Sequence, residues 1–244
     1  MQLEIFEDHQ GLSDAAASDI IELAKIKPSA VLCLASGETP RLTCQLLVQK
    51  VKNENLDISQ LTFIGLDEWV DIPPDNEGSC HYFFRNELFK PLSIPEKQIH
   101  LFDAMSDNLR DECRKMDAVI REKGGIDLMI VGIGMNGHIG FNEPGVSFEN
   151  YSHVIDLDDT TLSVGQKYFK SKVTLQKGIT LGLKHLQESK KVLLLANGKK
   201  KAEVIRRTAE EDLTNSFPAS IMQKHTHGIV MIDEEAASLL TQYK

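Results

Sequence analysis

The sequence predicts an α/β fold in which a Rossmann-like, mostly parallel sheet carries helices on both faces. Three observations lead there. Short, unbroken apolar runs recur at 30–35, 61–66, 126–133, 191–197 and 227–233. A strand reads that way when both of its faces are buried, as in a parallel sheet covered on each side. Segments between these runs return apolar residues at helical spacing, which makes the pattern an alternation of strands and helices. Finally, no Gly/Ser tract, Pro-rich linker or repeat interrupts the alternation, so residues 1–244 are expected to form a single domain.

In chain order, Ala17, Ile20, Ile21 and Ala24 share one face of a helix predicted over 14–26, and AVLCLA (30–35) is taken as the first strand. A helix over 40–52 opens on Pro40, whose fixed φ suits a first helical turn. LTFIGL (61–66) is the next strand, followed by helices over 78–90 and 107–122 and the strand IDLMIVGI (126–133). KVLLLAN (191–197) leads into a helix from about 199 to 211, and HGIVMID (227–233) is a strand before a closing helix. Residues 147–185 are the least periodic and are expected to form a lid-like excursion from the sheet.

Composition narrows the functional classes. Lys and Arg total 27 against 36 Asp and Glu, a net charge of −9, which argues against a nucleic-acid binder because such proteins need an excess of phosphate-neutralising side chains. No apolar run approaches the roughly 20 residues that span a bilayer, so no membrane partner is expected. The acidic start Met1–Asp8 lacks the basic and apolar segments of a secretory signal, and the expected location is the cytoplasm. Cys33, Cys44, Cys80 and Cys113 are scattered without a CxxC pair and read as reduced core thiols. No metal site is expected: His225 and His227 lack a carboxylate or cysteine partner nearby in sequence.

Ligands of such sheets bind beyond the carboxyl ends of the strands, so the strand-to-helix loops are where chemistry is sought. Ser36-Gly37-Glu38-Thr39-Pro40 offers hydroxyls and a glycine at a helix start, as a phosphate cradle does, although an ordinary cap and turn reads the same way. Lys199, Lys200 and Lys201 open another helix, where cations are disfavoured unless an anion is bound; a solvated basic cluster is the alternative. Asp67 and Glu68 at a strand end suit either a general base or a loop-ordering role. Gly132–Gly145 packs five glycines around His138 and Glu143, bringing an imidazole to a carboxylate that orients it and raises its basicity. Its glycine spacing, with Asp156 or Asp158 about 20 positions on, leaves a dinucleotide site open by spacing alone. The internal His138 and the following FNEPG argue against that, because a helix should start there.

The order ASGETP, GLDEW, GIGMNGHIGFNEPG, NGKKKAE and PASIMQKH resembles the glucosamine-6-phosphate deaminase family across nearly the whole chain, with GHIGFNEPG the specific part. The related 6-phosphogluconolactonases look different at that point, with no counterpart of Asn142-Glu143-Pro144. The resemblance implies conversion of glucosamine 6-phosphate and water to fructose 6-phosphate and ammonium in amino-sugar catabolism, without metal or redox cofactor. It also implies roles. Asp67 matches the base acting between C2 and C1, and His138 the ring-opening acid/base, supported by Glu143 and Asn136. Ser36, Gly37, Thr39 and Lys201 match phosphate positions, and Lys167 stands where many members carry Arg.

Three departures qualify the match. Asn136 replaces a common Asp, Glu38 replaces a small residue in the phosphate loop, and Lys167 exchanges a bidentate fork for a point charge. Allosteric hexameric members place basic residues where this chain has His153 and Ile155, so the expectation is a monomer or small homo-oligomer without that effector site. A lactone hydrolase and a non-catalytic sugar-phosphate sensor remain the competing readings.

Overall fold

In the computed structural model, which describes residues 1–241, the strands form two sheets. The larger contains β1 (Gln2–Phe6), β2 (Val31–Leu34), β3 (Thr62–Gly65), β5 (Ile99–His100), β6 (Leu128–Gly132), β9 (Lys191–Ala196) and β10 (Gly228–Asp233). Every pairing in it is parallel, in the order β1-β10-β9-β6-β2-β3-β5. The smaller is antiparallel, β4 (Asp67–Trp69) against β8 (Lys177–Thr180) against β7 (His153–Asp156).

The unbroken apolar runs have the expected cause. Val31 and Cys33, Met129 and Val131, Val192 and Leu194 face one core; Leu32 and Leu34, Leu128 and Ile130, Leu193 and Leu195 face the other. Helices α1 (His9–Ile26) and α2 (Glu38–Asn53) cover the second core. Helices α4 (Leu109–Glu122), α6 (Leu183–Glu188) and α7 (Ala202–Glu210) cover the first. The α/β reading with helices on both faces therefore holds.

Several elements differ from expectation. β1 precedes the strand taken as first: it is an edge strand paired only with β10, so none of its residues is fully buried, and Gln2 and Ile5 are exposed. Among the described residues no closing helix follows β10; residues 234–239 are successive turns, because Asp233 accepts from the Ala236 N–H and Glu210 accepts from Thr241, tying the segment down. The 78–90 helix is α-helical only over α3 (Cys80–Phe84) and then widens into a π-helical turn, Arg85–Phe89, with Phe89 stacked on Phe84. Likewise Lys199–Lys201 is a tight 3-10 turn ahead of α7. The excursion at 147–185 is ordered around β7, α5 (Asp159–Gly165) and β8.

From β2 the chain steps to β3 and β5 on one side, then returns to β6 on the other before continuing to β9 and β10. This reversal leaves a crevice between the carboxyl ends of β2 and β6, the place where such sheets accept ligands.

Candidate active site

Two loops flank the crevice and a third abuts it. After β2, Gly37 occupies the N-cap of α2 with φ of 117°, a conformation open to glycine, and no side chain caps the helix. The first N–H groups of α2 are thus presented to the crevice in the manner of an anion site. Thr39 Oγ1 donates to Asn197 Oδ1 at 2.6 Å, binding this loop to the one after β9. Glu38 is exposed and paired with Arg41 at 3.4 Å, which offsets its charge beside the loop.

Lys201 reaches in from the β9 loop and donates from Nζ to the Ile133 carbonyl at 2.5 Å. Burial, then the positive charge of Lys167, lower its ammonium pKa to about 8. Lys167 lies over the Tyr168 ring at 4.9 Å, and a Cβ built on Gly37 would stand 3.7 Å from Tyr168 Oη. Two lysines close enough to repel one another beside free helix N–H groups suit a doubly charged anion. Lys199 and Lys200 are exposed. Asp233 accepts the Gly198 N–H through both oxygens at 2.9 Å, which fixes the loop that carries Lys201.

Asp67 and Glu68 diverge in role. Glu68 is buried and accepts from the N–H groups of Trp69, Cys80 and His81 at 2.9, 3.0 and 2.9 Å, so it orders the start of α3. Burial nonetheless raises its pKa against those bonds. Asp67 has no such backbone partners. Burial first, and the adjacent Glu68 second, raise its carboxyl to about 7, while a hydrogen bond from Cys80 draws it back. A carboxyl poised near neutrality is suited to taking and returning a proton.

The glycine-rich loop after β6 folds back on itself, with Gly134 N–H donating to the His138 carbonyl at 2.9 Å. The imidazole packs so closely over Gly134 that a Cβ there would strike the ring. His138 Nδ1 meets Glu143 Oε2 at 3.3 Å and Thr161 Oγ1 at 2.9 Å. Burial acts to raise the Glu143 carboxyl, but hydrogen bonds from His138, Thr161 and Asn136 outweigh it and hold the pKa low. Ionised Glu143 accepts only, which assigns the imidazole proton to Nδ1 and leaves Nε2 as the working nitrogen. Asn136 Nδ2 donates to Glu143 Oε2 at 2.8 Å and to Asp158 Oδ1 at 3.3 Å. Two residues beyond His138, a Cβ on Gly140 would stand 3.3 Å from Asp67 Oδ2, so this loop runs directly past the carboxyl.

The structure thus joins Asn136, His138 and Glu143 in one bonded cluster. It seats Ser36, Gly37, Thr39, Lys167 and Lys201 around the anion loops and puts Asp67 beside Gly140 in the His138 loop. The dinucleotide alternative fails: no helix starts in the glycine loop, Asp158 caps α5, and Asp156 is exposed beside Lys177. Thr161 carries no sequence expectation, and Cys80, expected only as a core thiol, lies between Ser36 and Asp67. Thr161 follows the Asp158 cap on a short helix within the least periodic region, and the cap signal was the available clue. Among the described residues, no group of three or more His, Cys, Asp and Glu side chains forms a metal cluster, and no helix is long and apolar enough to cross a membrane.

Comparison with known proteins identifies the family to which the chain belongs. The model of the family described as glucosamine-6-phosphate isomerases/6-phosphogluconolactonase matches residues 7–231. Glucosamine-6-phosphate deaminase of Thermoanaerobacter pseudethanolicus is 39% identical over 241 residues, covering 98% of this chain and 95% of the relative. The same enzyme of Shouchella clausii is 38% identical over 237 residues, covering 97% and 96%. A solved monomeric glucosamine-6-phosphate deaminase superposes with a TM-score of 0.95 at 36% identity, covering 98% of this chain and all of the other. The 6-phosphogluconolactonase of Trypanosoma brucei, at 19% identity and a TM-score of 0.77 over 98% of each chain, shares the fold.

Proposed function

Since the chain belongs to the family of glucosamine-6-phosphate isomerases and 6-phosphogluconolactonases, we propose that it is a glucosamine-6-phosphate deaminase, releasing ammonium from glucosamine 6-phosphate and forming fructose 6-phosphate. The observation that carries the reading is Asp67, a carboxyl held near neutrality beside the loop of an Nδ1-protonated histidine. Lactone hydrolysis calls for no carbon base, whereas aldose–ketose transfer requires one.

The phosphate docks against the α2 amino terminus, with Ser36, Gly37 and Thr39 on one side and Lys167 and Lys201 on the other. That remote binding aligns the sugar and reduces the entropic cost of the later steps. His138 Nε2 moves the proton between the anomeric hydroxyl and the ring oxygen, which opens the sugar to its aldehyde. The carbonyl and the C2 ammonium acidify the C2 hydrogen, and ionised Asp67 takes it. A proton passes from the C2 ammonium to the carbonyl oxygen, and Asp67 returns its own proton at C1, leaving an iminium at C2 and a hydroxyl on C1. Water adds to that carbon, and ammonium departs as the ketone forms. The oxidation of C2 is matched by the reduction of C1, so the electrons stay within the sugar and no redox cofactor is called for. Glu143, Asn136 and Thr161 hold His138 throughout.

The enzyme acts as a single sugar-phosphate domain in cytoplasmic amino-sugar catabolism. A monomeric state is supported by the solved monomeric relative. The test is ammonia release and fructose 6-phosphate formation from glucosamine 6-phosphate, with Asp67→Asn and His138→Gln alongside. Turnover in the wild type with a loss of about 10²- to 10⁴-fold in each variant is expected. A wild type that hydrolyses 6-phosphogluconolactone and releases no ammonia overturns the reading.

A further inference from the structure

Cys80 stands at the start of α3 with polar partners on two sides. Ser36 Oγ, in the anion loop, donates to its Sγ at 3.0 Å, and Sγ lies 3.6 Å from Asp67 Oδ1. A thiol has one proton to give and accepts weakly through its lone pairs, so receiving from Ser36 leaves the S–H free for the carboxylate. The other oxygen, Oδ2, has no donor among the described residues and lies on the Gly140 side, along the loop that carries His138. The two oxygens of Asp67 are therefore inequivalent: one is engaged, the other is open.

We propose that Cys80 is a positioning residue for Asp67, engaging Oδ1 so that Oδ2 takes the C2 proton and tying this base to Ser36 of the phosphate loop. The inference rests on the deaminase reading. Its chemical economy lies in the weakness of the S–H donor: it orients the carboxylate without removing much of its basicity, whereas a strong donor would depress it. Burial, followed by the charges of Glu68 and Asp67, pushes the thiol well above its ordinary pKa, so the proton stays on sulfur while Asp67 titrates. Glu68 on the same strand, Cys33 on β2, Cys80 on α3 and Tyr168 after α5 are the titratable groups around Asp67. Tyr168 is raised to about 12 and Cys33 well above 9, so neither changes charge where Asp67 does.

Cys80→Ala and Cys80→Ser separate positioning from packing. Ammonia release is followed for kcat and KM across about pH 5 to 9, and the Asp67 carboxyl is titrated in the free protein by carbon-detected NMR. Cys80→Ala is expected to lower kcat about tenfold with KM within about twofold of the wild type. The acidic limb and the carboxyl titration both move to higher pH, because the bond that held the pKa down is gone. Cys80→Ser, which keeps a donor, restores kcat and returns the limb to or below its original position. A wild-type kcat and limb in Cys80→Ala, or a Cys80→Ser as impaired as Cys80→Ala, overturns the proposal while the deaminase reading stands. A wild type that releases no ammonia overturns both.

Discussion

The Asn136 amide donates to Glu143 Oε2 at 2.8 Å, and the same nitrogen reaches Asp158 Oδ1 at 3.3 Å. A neutral side chain thus sits between two carboxylates as their shared donor. Asn136→Asp removes that donor and places a third negative charge between them. The Glu143 carboxyl, held low in part by Asn136, then rises towards the range in which Asp67 titrates, and because Glu143 must be ionised to hold His138, the fall in kcat on the acid side steepens below the Asp67 limb. A pH–rate series for the two proteins checks this, and coincident limbs would remove the electrostatic role of position 136.

Thr161 is expected to matter through the imidazole and the Glu143 carboxylate that holds it. Thr161→Val keeps the shape of a buried residue but loses the hydroxyl at 2.9 Å from His138 Nδ1. The expected result is a kcat about tenfold lower, with Thr161→Ser close to the wild type. Nitrogen NMR of His138 should show a single Nδ1-protonated tautomer in the wild type and a mixture in Thr161→Val. A single tautomer in both would assign Thr161 to packing.

Lys201 supplies a basic limb. Its ammonium loses its proton near pH 8 in the free protein, so phosphate binding is complete below that value and fades above it. The kcat/KM for glucosamine 6-phosphate should fall by about tenfold per pH unit above the limb, while kcat at saturation changes less. Lys201→Arg, charged at every accessible pH, should carry the plateau further into the basic range. A kcat/KM in the wild type that is flat to pH ~9 contradicts the assignment.

The far edge of the sheet offers a control. Asp127 is buried and accepts from Lys27 Nζ at 2.8 Å, Lys190 Nζ at 2.6 Å and the Val31 N–H at 2.8 Å. Burial would raise its pKa, but the Lys190 and Lys27 bonds and the Val31 N–H outweigh it, and the carboxyl is held low. A depressed carboxyl stabilises the fold above its unfolded pKa of about 4 and loses that contribution as pH falls through its folded value. Asp127→Ala should cost about 2 kcal/mol in urea unfolding at neutral pH, chiefly because the Val31 N–H loses its acceptor, with the difference shrinking in acid and kcat/KM unaltered. An equal loss at acid and neutral pH would point to packing instead.

How far these features could be foreseen depended on whether their cause is local. Fully buried strands such as 128–132 and 191–196 announce themselves because both faces demand apolar residues. β1 does not, since an edge strand with one partner tolerates Gln2 and Glu4 and so resembles a polar terminus. β4 is three residues long, too short for any period, and exists only because β8 arrives to pair with it. The site divides the same way. Asn136, His138 and Glu143 lie within eight residues and their meeting follows from the glycines between them. Thr161 meets His138 across 23 positions, and Cys80 meets Ser36 across 44. Those distances are closed by tertiary packing, and nothing in the adjacent residues signals them.

The pairing of β1 with β10 has an entropic side. Gln2 lies opposite Ile229, the widest separation in sequence of any pairing in the larger sheet, so this contact closes its longest loop. The same strand, β10, brings Asp233, whose two oxygens fasten Gly198 and with it the approach of Lys201. The grip on a phosphate is thereby coupled to the most non-local pairing of the fold, whereas the His138 loop is built on the shorter-range pairing of β2 with β6.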